Sequence, residues 1–450
     1  MKRDKIALSG KKVTVLGLGR SGLAACKLLL SEGAVVFGSD KGNPNVDIPG
    51  LELEIGEHTE RIFESELLVV SPGISQYHWV IEEAKKRGIK VIGEIELASS
   101  LFEGKLIAVT GTNGKTTTCA LIKEMLTEAG CKAALGGNIS PGIPLSEAVM
   151  NADRDTIMVT EVSTFQLETI DMFKPFIGII TNITPDHLDR HKDFEIYVQL
   201  KRKLFKNQDG ADYTILNYDQ EITRATEKVV KSKVYFFSVK QDMENGVFLS
   251  GDDCFYKKEG KSQFLFKRTD VRLQGMHNLE NILAASLVNL ILDYDIQTIR
   301  KVVKNFAGVP HRLEFVKEIN SIKFVNNSMC TNPVAFRRSI ESIKGSFILI
   351  CGGRNKNLEI EKMTDSIKKA RYAIIIGECA PFLADALEKS GYRRFSISKT
   401  MEEAVDIAFR EASIGDTVLL SPGGSSFDMF KDFAERGNCF KESVGRLSNG

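Results

Sequence analysis

The sequence predicts an α/β chain of three doubly wound domains. Three observations carry that expectation. A β-prone apolar run, a glycine-rich turn and apolar residues at helical spacing follow one another at Lys12-Val-Thr-Val-Leu-Gly17, and again at Lys105-Leu-Ile-Ala-Val-Thr-Gly111. In the last third, strand-like runs such as Ser346-Phe-Ile-Leu-Ile-Cys-Gly-Gly353 and Thr417-Val-Leu-Leu-Ser421 alternate with helical stretches. The chain also has 450 residues, too many for one hydrophobic core. Domains are expected at 1–102, 103–308 and 309–450. A new strand–turn–helix unit starts just after 99–104, and a joint containing Pro310, His311 and Arg312 follows the central part.

Composition narrows the function classes. With 43% hydrophobic and 26% charged residues the chain is neither disordered nor fibrous. Its net charge of +1 gives no global field to recruit nucleic acid or an acidic membrane, so neither is expected as a partner. Any anionic ligand must be met by local groups. The eight cysteines form no C-x-x-C pair, which points to reduced thiols in a cytoplasmic protein. No run reaches membrane-spanning length, and the start Met1-Lys-Arg-Asp-Lys-Ile lacks the apolar stretch of a secretion signal. A monomer is expected.

The first domain opens with Gly17-Leu18-Gly19-Arg20-Ser21-Gly22 between a strand and a helix. A second strand ends on Asp40, about where a ribose-binding carboxylate would lie. By itself this is a Rossmann-like dinucleotide fingerprint, and a nicotinamide-dependent oxidoreductase stays open. Leu67-Leu-Val-Val-Ser71 reads as a buried strand ending in a turn, Trp79 as core or domain-surface packing, and Lys90-Val-Ile-Gly-Glu-Ile-Glu96 as a last short strand.

The central domain holds the most informative stretch. Gly111-Thr112-Asn113-Gly114-Lys115-Thr116-Thr117 sits between a strand and an apolar-periodic helix. That order makes a nest of backbone N–H groups at a helix N-terminus, where the dipole favours phosphate. Lys115 can reach the outer phosphates of ATP and the Thr116 hydroxyl can take a site on magnesium. The spacing is tighter than the common phosphate loop, because Val109 stands where that pattern has its first glycine. Further on, a buried strand ends on the carboxylate of Glu161, and another runs into Asn182-Ile-Thr-Pro-Asp186-His187-Leu-Asp189-Arg190-His191. Carboxylate and imidazole there can orient a magnesium ion. Lys201 lies one turn after Tyr197 on an amphipathic helix and, on spacing alone, is one of several basic residues of its face. Gly136-Gly137-Asn138 forms a turn able to approach a ligand closely.

Gly111-Thr-Asn-Gly-Lys-Thr, Glu161-Val-Ser-Thr-Phe-Gln-Leu and Asn182-Ile-Thr-Pro-Asp-His-Leu-Asp-Arg-His together resemble the ATPase domain of the Mur ligases. With the glycine-rich start, the chain is most similar to the MurD type of that family, nearly end to end. The resemblance implies an ATP-dependent ligase that adds D-glutamate to UDP-N-acetylmuramoyl-L-alanine. It implies a P-loop-type central domain between two Rossmann-like ones. Thr116, Glu161 and His187 would serve magnesium, and Lys201 matches the lysine that the family carbamylates. Gly17, Leu18, Gly19, Arg20, Ser21, Asp40, Ser71 and Asn138 would hold the uridine diphosphate substrate. Asn278, Asn281 and Arg312 would meet ATP. Thr331, Lys356, Ser426 and the backbone at Phe433 would grip the amino acid.

One departure stands out. Where many MurD-type chains read N-D-S-K-A-T-N, this one reads Asn326-Asn327-Ser328-Met329-Cys330-Thr331-Asn332. A carboxylate and a cation are both lost, so a related ligase using another amino acid, such as L-glutamate, stays open beside the oxidoreductase. A folylpolyglutamate-type ligase would lack the leading α/β domain. A non-catalytic ATP-binding regulator would bind nucleotide without turnover.

Overall fold

The computed structural model describes residues 6–139, 142–191, 193–273, 275–354 and 360–447. The chain forms two compact units, Met1–Phe306 and Ala307–Gly450. The first unit contains two sheets. In one, β1 (Lys12–Leu16), β2 (Val35–Asp40), β3 (Glu52–Ile55), β4 (Leu67–Val70) and β5 (Lys90–Gly93) run parallel in the order β3-β2-β1-β4-β5. Strand order reverses between β1 and β4, and such a reversal opens a crevice beyond the strands' carboxyl ends.

The second sheet is built from β6 (Lys105–Thr110), β7 (Ala133–Gly137), β8 (Ile157–Glu161), β9 (Ile177–Ile180), β10 (Tyr213–Asn217), β11 (Lys233–Ser238), β12 (Gly246–Ser250), β13 (Asp253–Lys258) and β14 (Lys261–Lys267). Its order is β14-β13-β12-β11-β10-β9-β6-β8-β7, parallel from β7 to β12 and antiparallel at the β13–β14 edge. β6 and β8 read as near-continuous apolar runs because both of their faces are covered, as parallel sheets require. Helix Lys115–Glu128 and helix Met276–Ile291 share one of those cores through Leu121, Ile122, Leu279 and Ile282.

Two carboxylates link these sheets. The expected last strand stops at Gly93, and Glu94 begins the helix Glu94–Leu101. The alternating Glu-Ile-Glu pattern reads as a strand, but acidic residues also suit the first turn of a helix, where they complement the dipole. Here their oxygens have a further use. Glu96 accepts from the backbone N–H groups of Asp171, Met172 and Phe173 at 2.8–2.9 Å, and Glu94 from that of Ser146 at 2.6 Å.

The second unit holds β15 (Glu314–Ile319), β16 (Ile322–Asn326), β17 (Phe347–Gly352), β18 (Tyr372–Ile376), β19 (Phe395–Ser398) and β20 (Thr417–Gly423), in the order β15-β16-β20-β17-β18-β19. Only β15 is antiparallel to its neighbour. Alternate residues serve opposite cores: Leu349, Ile375 and Leu419 on one face, Ile348, Ile374 and Val418 on the other. All eight cysteines are free thiols. Among the described residues no helix is long and apolar enough to cross a membrane.

Candidate active site

The glycine turn after β6 has a defined shape for a physical reason. Gly111 and Gly114 take φ of +149° and +81°, a region that side-chain-bearing residues avoid. A Cβ on Gly114 would collide with Asn281 Oδ1, and one on Gly111 with Thr181 Oγ1. The turn is pinned to the end of β9. Asn113 N–H donates to Asn182 Oδ1 at 2.9 Å, Thr112 N–H to Asn182 O at 2.9 Å, and Thr181 Oγ1 to Asn113 O at 2.6 Å. Thr112 Oγ1 also lies 3.0 Å from Tyr197 Oη. The ammonium of Lys115 folds over its own loop and donates to Gly111 O and Thr112 O at 3.0 Å. Thr117 continues the first turn of the helix Lys115–Glu128.

Oxygen donors gather beside this turn. Thr116 Oγ1 donates to Glu161 Oε2 at 2.6 Å, and Asn138 Nδ2 donates to Glu161 Oε1 at 3.1 Å. Glu161 is only 3% exposed. A carboxylate has about four lone-pair sites and these bonds use two, so an ion can be accommodated. The described residues contain no group of three or more His, Cys, Asp or Glu fit to cage a metal. A hydroxyl and one carboxylate suit magnesium, which keeps several waters and is shared with phosphate oxygens. The donor chemistry therefore fits that ion.

His187 sits on the loop after β9 with φ of +53°. Its Nε2 is 3.6 Å from Asp186 Oδ2, and its ring meets the edge of Phe165 at 5.0 Å. Lys201 is not a surface residue of its helix. It is 1% exposed, donates to Gly111 O at 2.9 Å and lies 4.4 Å over the ring of Tyr197. Burial pushes its pKa well below the usual lysine value, and the nearby Lys115 charge pushes the same way. Burial therefore favours the neutral amine here more than it would on an exposed lysine.

A crevice of about 510 Å³ opens where the first sheet reverses order. Gly17, Gly19, Arg20, Ser21, Asp40, Ser71 and Asn138 line it together. Leu18 does not: its side chain is 1% exposed and lies in the core, and only its backbone takes part, donating N–H to Asp40 Oδ2 at 2.6 Å. Asp40 Oδ1 accepts from Gly42 N–H at 2.7 Å, so this carboxylate shapes the loop. Ser71 Oγ donates to Gly17 O at 2.6 Å, and Arg20 donates to Gly142 O across the rim. Sequence reasoning missed Ile74, Pro144 and Gln166, which line the same crevice. Gln166 stood inside a motif already singled out, so that motif was the available signal.

Asn281 is 5% exposed and accepts from Thr118 Oγ1 at 3.3 Å, while Asn278 is half-buried in the first turn of its helix. In the second unit, exposed Arg312 stands between two non-glycine residues with positive φ, His311 at +63° and Leu313 at +44°. Asn327 Oδ1 accepts from Leu313 N–H at 3.2 Å, and its Nδ2 donates to Ser421 Oγ at 3.3 Å. The Asn327 amide thus ties the joint at Leu313 to the end of β20, accepting with its oxygen and donating with its nitrogen. Ser426 is buried, Thr331 exposed, and Phe433 begins the helix Phe433–Arg446 with its carbonyl accepting from Ser328 Oγ at 2.7 Å. Lys356 lies outside the described residues. Buried Arg436, which the sequence did not flag, bonds Ser328 Oγ, Ser328 O and Gly424 O beneath these groups.

Comparison with known proteins accounts for the same three regions. The family model for a Mur ligase MurD-like N-terminal domain matches residues 11–93, that for the Mur ligase middle domain 109–289, and that for the Mur ligase glutamate ligase domain 311–424. A UDP-N-acetylmuramoylalanine–D-glutamate ligase of Caldicellulosiruptor bescii is 42% identical over 98% of each chain. One from a Thermoanaerobacter strain is 41% identical over 98% of this chain and 99% of its own. The crystal structure of a murein peptide ligase from Psychrobacter arcticus shares the fold, with a TM-score of 0.52, 17% identity, and coverage of 98% of this chain and 100% of that one.

Proposed function

The chain belongs to the Mur ligase family, and from that premise we propose that it joins D-glutamate to UDP-N-acetylmuramoyl-L-alanine at the expense of ATP. The sugar nucleotide occupies the crevice that residues 1–102 line together with Asn138, Pro144 and Gln166, ATP the glycine turn of residues 103–308, and the amino acid the strand ends of residues 309–450. Such a reaction belongs to the cytoplasmic steps of peptidoglycan synthesis.

The observation that carries this reading is the position of Asn138. It lines the crevice and also donates to Glu161, whose other oxygen meets Thr116 of the phosphate turn. An acid seated in the crevice therefore has its carboxylate beside the phosphate site. Magnesium held by Thr116, Glu161, His187 and a carbamate on Lys201 would neutralise charge on the transferred phosphoryl group. Lys115 leaves the carbonyls of Gly111 and Thr112 to meet the outer phosphates, where it stabilises the same charge. The acceptor carboxylate attacks the terminal phosphorus and ADP departs, leaving an acyl phosphate. The glutamate amine then attacks the acyl carbon, and phosphate leaves as the amide forms. Lys201, buried and inclined to neutrality, supplies the amine that adds carbon dioxide and releases a proton. Arg312, Asn278 and Asn281 serve ATP. Ser426, Thr331, Lys356 and the backbone at Phe433 hold the carboxylates of glutamate.

A coupled assay of ADP release tests the reading. Release is expected only with both the sugar-nucleotide acid and D-glutamate present. Turnover with L-glutamate alone would overturn the assigned stereochemistry. NADH binding without ATP binding would overturn the ligase reading altogether.

A further inference from the structure

One guanidinium holds three pieces of the first unit together. Arg190 follows β9 on the one-turn helix Leu188–His191. Its Nε and Nη2 meet Glu168 Oε1 and Oε2 at 3.1 and 2.7 Å, a two-point fork. The pair is nearly out of water, with the Glu168 side chain 2% exposed and that of Arg190 18%. Nη2 also donates to Ile74 O at 3.0 Å, and Nη1 reaches Gly73 O at 3.5 Å. The guanidinium carbon lies 4.1 Å above the ring of Phe165, the same ring that His187 meets.

Each of these partners matters to the site. Gly73 and Ile74 form one wall of the sugar-nucleotide crevice, contributed by the loop after β4. Gln166, two residues before Glu168, lines the crevice from the short helix Thr164–Leu167 that follows β8. His187 begins the turn that carries Arg190. A buried ion pair is a poor source of stability, because desolvation offsets much of the Coulomb attraction, so stability alone does not account for it. Neutralising Glu168 would need only a lysine. A planar fork is needed to meet two carboxylate oxygens, backbone carbonyls and an aromatic face at once.

We propose that Arg190 is a positioning residue for the acceptor. It holds the two walls of the crevice in register with each other, so that the acceptor carboxylate is presented to the phosphate site. The proposal rests on the reading that the crevice takes the sugar-nucleotide acid. The side-chain hydrogen bonds of Arg190 go to Glu168, Gly73 and Ile74, none of them in the turn that receives ATP, so its direct effect falls on the acceptor crevice.

The test uses the full chain carrying Arg190→Lys or Arg190→Ala. Kinetics are measured with the acceptor and ATP varied separately, and nucleotide affinity is measured without acceptor. Lysine keeps the charge beside Glu168, so Arg190→Lys preserves a folded protein even where Arg190→Ala does not. Arg190→Lys is expected to raise the acceptor KM about tenfold, because a point charge cannot reproduce the fork. Its affinity for magnesium ATP should stay within about twofold of wild type. An unchanged acceptor KM, or a loss of ATP affinity in the same proportion, would overturn the proposal. A wild-type enzyme inert toward the sugar-nucleotide acid would instead overturn the functional reading, before any variant is compared.

Discussion

Replacing Glu94 with glutamine changes how the first unit responds to pH, and the size of the change follows from the structure. Glu94 is 1% exposed. Its Oε1 accepts from Ser146 N–H at 2.6 Å, while Oε2 is buried with no hydrogen-bond partner among the described residues. Burial pushes the carboxyl up from 4.5 to about 7, against the opposing pull of the Ser146 N–H. A carboxyl whose folded pKa exceeds its unfolded one binds more protons folded than unfolded. Its contribution is therefore most favourable below 4.5, is lost as pH rises toward 7, and then levels off. The gap between 4.5 and about 7 amounts to about 3 kcal/mol, at about 1.4 kcal/mol per pH unit. Glutamine keeps a carbonyl for Ser146 N–H and does not titrate. Relative to wild type, Glu94→Gln should gain about 2–3 kcal/mol between about pH 5 and about pH 8. Urea unfolding followed by the fluorescence of Trp79 measures this, because that sole tryptophan lies in the first unit on helix Trp79–Lys86. A difference between the two proteins that does not vary with pH would mean that Glu94 is already ionised when folded, and the burial argument would fail.

Gly114→Ala should reduce turnover by about a hundredfold, because alanine at φ of +81° is strained and its Cβ strikes Asn281 Oδ1. Nucleotide affinity and ADP release check this together. Lys201→Ala should lower turnover by about a hundredfold or more, with partial recovery on adding short carboxylic acids that replace the carbamate oxygens. Failure of that recovery would remove the carbamate role. Asp40→Asn should raise the acceptor KM with little effect on ATP, since one oxygen bound to Leu18 N–H or Gly42 N–H becomes an amide donor facing a donor.

What could be read in the sequence divides by range along the chain. The Gly111–Thr117 turn was legible because its strand, turn and helix are contiguous and the phosphate chemistry is local. The same holds for the strand ends at Glu161 and Asp40. Lys201 looked like a solvated basic residue, and only the packing of its helix beneath the turn buries it beside Gly111 O. Asn182 appeared in a motif, yet its grip on Asn113 depends on β9 lying next to β6, a pairing that no local pattern reveals. Glu94 and Glu96 read as strand residues by alternation, whereas their partners lie 52 to 77 residues away. Leu18 lies within the glycine fingerprint, but its side chain turns into the core while its neighbours face the crevice. Trp79, read as core or domain-surface packing, is half exposed, with Phe63 edge-on to its ring and His78 stacked on it.

The claim on which the rest depends is that the acceptor carboxylate is phosphorylated before the amide forms. Supplying acceptor with a heavy-oxygen label in that carboxylate, together with D-glutamate and magnesium ATP, tests it by mass spectrometry of the released phosphate. One labelled oxygen should pass to phosphate in each turnover. Product amide formed with unlabelled phosphate would contradict the account.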